Sequence, residues 1–541
     1  MTKFLLLATC TGLALGLAWP AGDQVGLLFI GFVPLLWVVE RLGEAPRKYS
    51  GLLVFVSAYL AFFSWNAIAI WWLHYVRDRD GSYMWEAYLL TVICNSLFMA
   101  ILFRWYTWAK KRLGTGLGQL FLLCVWLSFE KLHFEWEFAW PWLNLGNGLA
   151  NHPQWIQWYE YTGSLGGSLW IWLVNLSFFN MLKRYQKTRN WDHLYKNLIL
   201  NTGMILLPIL ISYLIYANYN EKGPSFEFVI LQPNIDPYTA KYSTPPKVLT
   251  QQLLDLTERS ITNTTAFVLA PETALPGKGA ILLQGLAEDS NVMMIKSYMK
   301  RYPESAFISG LELFSVYLNK ETASKTSSLI PGGQFWVDVF NSAVQIDTTD
   351  TFQYYHKSKL VPGVEIFPYK KIFRPLVGNL LFDLGGTVIG RTPQDEPSVL
   401  THPGKKIKTA PVICYESVFG EYISQFIQQG AQFICILTND GWWGTSDGHK
   451  QHLAYARLRA IENRRAIARA GNIGVSAFVN QRGDIIASLP YGKEGTLRQS
   501  IRANSEKTFY TLYGDVIARI ALLLGGVLFA YALAHQLMAK R

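Results

Sequence analysis

Seven apolar runs before residue 218, and an eighth after residue 512, constrain this chain more than any other feature. They cover about 3–19, 25–40, 52–75, 84–104, 117–134, 166–183, 196–217 and 513–537. Crossing the hydrocarbon core of a bilayer takes about 20 mainly apolar residues. The second run is short and would tilt or lie partly in the interface. In lipid each spanning segment must satisfy its own backbone polar groups, so each run is predicted to be helical. Only 16% of the chain is charged, against about a quarter in a soluble globular protein. The expected organisation is a multi-pass α-helical membrane domain over 1–217, a segment of ordinary globular composition over 218–510, and a C-terminal transmembrane helix over 511–541. The first run could instead be a signal peptide, with Cys10 at a lipoprotein-type cleavage site. Only Lys3 supplies charge there, however, and further spans follow at once.

Basic residues gather in alternate loops. Arg41, Arg47 and Lys48 lie near 41–51, Arg104, Lys110, Lys111 and Arg112 near 104–113, and Lys183, Arg184, Lys187, Arg189 and Lys196 near 183–196. The intervening loops are poor in unpaired base. The positive-inside rule then puts the amino terminus in the cytoplasm, the globular segment outside, and Lys540 and Arg541 back inside. The net charge of +11 follows largely from this topology. A nucleic-acid partner would need a basic stripe with aromatics in one soluble domain, and none is present.

The globular segment alternates short β-rich runs with amphipathic ones. Strands are predicted at 226–232, 266–272, 306–313, 340–346, 408–416, 432–440 and 474–480, and helices at about 246–259, 290–301, 418–428 and 449–470. Apolar strands with intervening helices indicate sheets covered by helices, an α/β or α+β layered domain.

Three strand ends deliver reactive groups: Glu272 in LAPE, Lys357 and Lys359 in YYHKSKLVP, and Cys414 in PVICYE. A thiol attacks as thiolate, so it needs a base and a positive neighbourhood. A carboxylate can take its proton, and an ammonium with backbone N–H groups can hold a developing oxyanion. Three unrelated residues, exposed or ion-paired, fit the same spacing. Outside the cytoplasm Cys414 and Cys435 could also form a disulfide. No Cys/His spacing suits zinc.

The ordered motifs LAPETALP, YYHKSKLVP and ICYESVFGE resemble the Glu-Lys-Cys signature of the nitrilase superfamily. LTNDGWWG and RLRAIENRRAIARAGNIGVS resemble its later sequence. With eight spans and PWLNLG at 141–146, the chain is similar to the apolipoprotein N-acyltransferase family. The resemblance implies an αββα sandwich for the globular domain and acyl transfer by a ping-pong route. Glu272 would be the base, Cys414 the nucleophile and Lys357 the oxyanion-stabilising cation, with Lys359 the rival by register. Glu365 would support the lysine, although VPGVE stands where VPFGE is expected. Tyr415 and Glu416 match a Tyr-Glu pair after the cysteine. Glu416 would orient the site or meet the incoming amine, or serve as a structural ion pair. QPNID resembles QGNI, with Tyr242 in the place of an expected tryptophan.

The resemblance further implies a membrane phospholipid as acyl donor, a diacylated apolipoprotein as acceptor and a bacterial inner-membrane location. A monomer is expected, and the chemistry calls for no cofactor and no metal. Residues 365–386 are expected to form an arm resting on the bilayer, or a buried loop. Trp442 and Trp443 would pack a wall or meet an acyl chain. The arginines of 457–469 read as a solvated or ion-paired helix face. His449 and His452 could supply a base, and a glycine-rich turn and a helix start explain their setting as well. A membrane-tethered amidase acting on a small amide would share the triad without needing eight spans.

Overall fold

The computed structural model describes residues 2–44, 50–77, 81–275, 279–330, 332–369, 372 and 390–538. Most of the expected arm, 370–371 and 373–386, lies outside them, as do Arg47, Lys48, Lys540 and Arg541. The chain divides into two compact units. One comprises Met1–Leu73, Trp85–Tyr219 and Tyr513–Arg541, the other His74–Met84 and Asn220–Leu512. The loop His74–Met84, which hydropathy assigns to the membrane part, thus groups with the globular segment, where the Arg77 N–H donates to Tyr238 Oη at 2.9 Å.

The first unit is helical: α1 (Thr2–Ala18), α2 (Val33–Glu44), α3 (Ser50–Ala69), α4 (Trp85–Leu132), α5 (Tyr159–Thr188), α6 (Trp191–Asn218) and a C-terminal helix, Val516–Met538. Among the described residues six helical stretches are long and apolar enough to cross a membrane, and α1 is a shorter apolar helix. The short second run becomes a 3-10 turn, Val25–Phe29, followed by α2. Two expected spans, 84–104 and 117–134, are joined as α4, which breaks at Gly114 with φ +80°. A left-handed residue is tolerated there because glycine has no Cβ. The interior is aromatic. Phe32 packs on Trp172 at 4.2 Å and on Trp126 at 5.4 Å between ring centroids. Glu40 on α2, buried among helices, is ion-paired to Lys110 and Lys183, the pairing that a charge in an apolar interior requires. Within PWLNLG, a Cβ on Gly146 would sit 1.8 Å from the Ser164 carbonyl oxygen, so that glycine permits close approach of α5.

The second unit is built on two sheets. The larger has the order β14-β1-β2-β4-β6-β5, with β3 on β4 and β7 on β6. Its strands are β1 (Ser225–Gln232), β2 (Thr265–Leu269), β3 (Ile281–Leu282), β4 (Ala306–Tyr317), β5 (Ser328–Leu329), β6 (Trp336–Ile346), β7 (Gln353–His356) and β14 (Gly495–Arg502). The smaller has the order β13-β12-β11-β10-β9-β8, from β8 (Leu400–Thr401), β9 (Lys408–Ile413), β10 (Phe433–Thr438), β11 (Ala466–Gly471), β12 (Ser476–Val479) and β13 (Ile485–Leu489). β1, β2 and β4 are mutually parallel, as are β9, β10 and β11. Parallel strands need crossovers, supplied by helices α7 (Pro246–Glu258), α8 (Ser290–Met299), α9 (Gly420–Gln428) and α10 (Gly448–Asn463). Leu253, Leu256, Val292 and Ile295 of α7 and α8 are buried with Val229, Val268 and Phe307 of the sheet in one cluster. The αββα layering is therefore observed. The expected helix 449–470 ends at Asn463, and its last residues form β11 instead. Strand β11 is buried between β10 and β12, and that pairing overrides the helical propensity of an Ala/Arg-rich run.

Candidate active site

Glu272 sits three residues beyond β2 in a turn laid over β4. The close approach depends on Gly310: a Cβ there would lie 2.5 Å from Thr273 N and 2.6 Å from Glu272 Cα. The turn is fixed by Gly310 N–H donating to Pro271 O at 3.1 Å and Leu275 N–H to Gly310 O at 3.0 Å. Thr273 adopts φ +47°, an unfavourable conformation for a β-branched residue. Its hydroxyl accepts from Lys241 Nζ at 2.7 Å.

Lys357 immediately follows β7, and its N–H donates to Asn341 O on β6 at 2.8 Å. The ammonium is 1% exposed. It lies 2.9 Å from Glu365 Oε2 and 3.4 Å from Glu272 Oε1. Burial works against that charge, but Glu365, Glu272 and the Cys414 sulfur outweigh it and hold the lysine above its ordinary range. For Glu365 burial is likewise outweighed, chiefly by Lys357, and the carboxyl is held low. Lys359 points elsewhere, its ammonium over the rings of Phe419 and Tyr422 at 5.6 and 5.4 Å.

A residue that the sequence did not single out completes the cluster. Asn341 Nδ2 donates to Glu272 Oε1 at 2.8 Å and to Glu365 Oε1 at 3.2 Å. Its Oδ1 has no partner among the described residues, so the amide is committed through its donor end. Within the FNSAVQI run, a carboxamide on a wholly buried strand was the available signal.

Cys414 immediately follows β9 and opens a 3-10 turn, Cys414–Val418, with φ +51°. It is 7% exposed. Burial and the Glu272 charge push its thiol up, against Lys357, so at rest it keeps its proton. Cys435, on the neighbouring strand β10, is a second free buried thiol. Glu416 ties the two chain segments together. Its Oε1 accepts from Tyr355 Oη at 2.5 Å, Ser358 N at 2.7 Å and Lys359 N at 3.1 Å, and its Oε2 from Ile413 N at 2.8 Å. Burial pushes its carboxyl up to about 7, against Tyr355, Ile413 and Ser358. The carboxylate thus staples the loop of Lys357 to the turn of Cys414. Tyr415 is buried beside Phe419, ring centroids 5.2 Å apart.

The remaining candidates make other contacts. Trp442 packs edge-on against Tyr238 at 5.2 Å, and Trp443 against His452 at 5.7 Å. Residue 242 lies on a single helical turn, Ala240–Ser243, and the Tyr242 side chain is outside the described residues. Of the two alternatives for the arginines, ion pairing is observed at 459 and 469. Arg459 is ion-paired to Glu462 at 2.9 Å, Arg469 to Asp440 at 2.6 Å, and Arg465 donates to Ala431 O and Glu506 O. Among the described residues no group of three or more His, Cys, Asp or Glu side chains is placed to hold a metal ion.

A base, a cation and a thiol, with the base and cation in contact, suit nucleophilic acyl chemistry. Residues 11–177 match the family model for the apolipoprotein N-acyltransferase N-terminal domain, and residues 230–509 that for carbon-nitrogen hydrolase. The apolipoprotein N-acyltransferase of Chlorobaculum tepidum is 28% identical over 542 residues, covering 98% of this chain and 96% of the relative. That of Haemophilus influenzae is 26% identical over 555 residues, with 99% and 94% covered. That of Thermotoga maritima is 25% identical over 526 residues, with 97% and 92% covered.

Proposed function

The chain belongs to the carbon-nitrogen hydrolase family, and from that premise we propose that it is an N-acyltransferase of the membrane. It moves a fatty acyl chain from a phospholipid to the α-amine of the N-terminal diacylglyceryl-cysteine of lipoproteins. The observation that carries this reading is end-to-end similarity. Relatives named apolipoprotein N-acyltransferase match the helical and globular parts together, whereas an amidase would need only the latter.

The reaction runs through a thioester. Glu272 takes the proton of Cys414 as Sγ attacks the ester carbonyl carbon of the phospholipid. The tetrahedral oxyanion is held by the Lys357 ammonium and by backbone N–H groups beyond Cys414. Collapse breaks the ester C–O bond, and the proton on Glu272 passes to the departing lysophospholipid oxygen. The lipoprotein amine then attacks the thioester carbon, Glu272 receives the amine proton, and the Cys414 thiolate leaves. Glu365 and Asn341 keep Lys357 and Glu272 oriented. Buried side chains around Cys414 disfavour hydrolysis of the thioester. The enzyme works as a monomer in the bacterial inner membrane, with the globular unit outside the cytoplasm and both termini inside.

The test is conversion of a synthetic diacylated lipopeptide, in phospholipid micelles, to the triacylated form by purified protein. Conversion that is lost in Cys414→Ser is expected. Active turnover of small amides with no lipopeptide acylation would overturn the assignment in favour of an amidase.

A further inference from the structure

Behind Cys414 lies a buried polar relay that the proposed chemistry does not use. His452 on α10 places Nε2 3.1 Å from the Cys414 carbonyl oxygen and 2.8 Å from Ser417 Oγ. Ser417 Oγ donates to the same carbonyl at 2.7 Å. On its other edge, His452 Nδ1 is 3.0 Å from Asp440 Oδ1, which also accepts from Thr438 Oγ1 at 3.0 Å. Arg469 on β11 donates to Asp440 Oδ2 at 2.6 Å and to Val475 O at 2.6 Å. His452, Asp440 and Arg469 are all fully buried. Gly474 leaves room for Asp440: a Cβ there would lie 2.9 Å from Asp440 Oδ2.

Ion-paired carboxylate and carbonyl acceptors on both edges give this histidine one orientation. Nδ1 lies against Asp440 Oδ1 at 3.0 Å and Arg469 Nη2 at 3.1 Å, and the grip on the Cys414 carbonyl is the hydrogen bond that Nε2–H donates. What these groups hold is informative. Cys414 sits at φ +51°, a left-handed conformation that a residue bearing a Cβ keeps only when its surroundings enforce it. The carbonyl of Cys414 and the N–H of Tyr415 belong to one planar peptide and point in opposite directions. Fixing the carbonyl toward His452 and Ser417 therefore fixes the Tyr415 N–H on the opposite side, together with the thiol's bearing.

We propose that His452, anchored on Asp440, is a positioning residue for Cys414. With Ser417 it grips the carbonyl of the nucleophile and holds the left-handed turn on which the thiol and the following N–H are carried. The inference rests on the reading of Cys414 as the acylated nucleophile. Misplacing a reacting group by about 1 Å can cost about 100-fold in rate, which sets the size of the effect.

The experiment uses full-length protein in detergent. It measures single-turnover acylation of Cys414 across phospholipid concentrations, and iodoacetamide alkylation of Cys414 by peptide mass. His452→Leu is expected to lower the saturating rate by about 10- to 100-fold and leave the half-saturating concentration within about twofold. His452→Gln, whose amide N–H can reach the same carbonyl, is expected to recover at least half of that loss on a logarithmic scale. Alkylation should follow the same order of variants. A His452→Leu protein that is folded and acylates at the parental rate overturns the proposal, as does a loss that His452→Gln leaves unrestored. If His452→Leu does not fold, Ser417→Ala decides: slower acylation at unchanged half-saturation supports the grip, and a parental rate overturns it. A parent alkylated at Cys414 but never acylated by phospholipid would remove the proposed function. The order of alkylation rates would then still decide this inference.

Discussion

Replacing Asn341 by alanine isolates the part of the cluster that no motif marks. Its amide donates to Glu272 at 2.8 Å and to Glu365 at 3.2 Å, and both carboxylates are within contact of the single ammonium of Lys357. Without the amide, only the shared ammonium holds the two like charges, and Glu272 is free to close further onto Lys357. A hydrogen bond to a charged group contributes about 1.5–3 kcal/mol. If the bond to Glu272 alone governs its aim at Cys414, a barrier change of that size, at about 1.4 kcal/mol per decade, slows acylation roughly 10- to 150-fold. The assay is single-turnover acylation of Cys414 by phospholipid, read by intact mass, on protein that elutes as the parent does in detergent. Asn341→Ala acylating within threefold of the parent would exclude this role for the amide, because Glu272 would then be held adequately by Lys357 alone.

Other perturbations separate neighbouring residues. Lys357→Ala leaves two buried carboxylates without their cation and should abolish acylation. Lys359→Ala, which loses contacts over Phe419 and Tyr422 of about 0.5–1 kcal/mol, should keep it within a few-fold; equal losses in the two would contradict the assignment. Glu416→Gln presents an amide N–H where four donors converge, so both melting temperature and acylation rate should fall; a lost rate at parental stability would instead favour contact with the incoming amine. His356 is buried, and burial lowers its pKa to about 4. The unfolded chain takes up that proton first, near pH 6.5, so this stability is intact above 6.5 and lost as pH falls toward 4. At about 1.4 kcal/mol per unit, roughly 3 kcal/mol is at stake. Melting temperature between pH 7 and 4 should therefore fall less steeply in His356→Gln; identical slopes would exclude this histidine as the cause.

Elements with strong periodicity are legible in the amino-acid pattern itself. The strands at 225–232 and 433–438 and the helices at 246–258 and 290–299 lie within a residue or two of the sequence reading, because apolar faces of period 2 or 3.6 reveal themselves locally. The edge strands β13 and β14 are not legible, since mixed polar runs such as GTLRQSIR become strands only through their partners. Glu272, Lys357 and Cys414 stand out as reactive types at strand ends. Asn341, Asp440 and His452 do not, because each owes its role to a neighbour from a distant part of the chain. His452 is 38 residues from the carbonyl it faces, and Asn341 is 69 from Glu272. The arginines at 459 and 469 are ion-paired, one of the two alternatives that the sequence offers, but their burial is not legible: α10, β11 and the turn between them direct these side chains and Arg465 inward onto Glu462, Asp440 and backbone carbonyls.

If Cys414 carries the acyl group between the two substrates, intact-mass analysis of the purified protein after incubation with a phospholipid, beside Cys414→Ser, will show it. The expected result is a gain of one fatty acyl group, released by neutral hydroxylamine, absent from the variant and discharged on adding a diacylated lipopeptide. Folded protein that acylates the lipopeptide without ever showing the adduct, or an adduct that persists in Cys414→Ser, would contradict it.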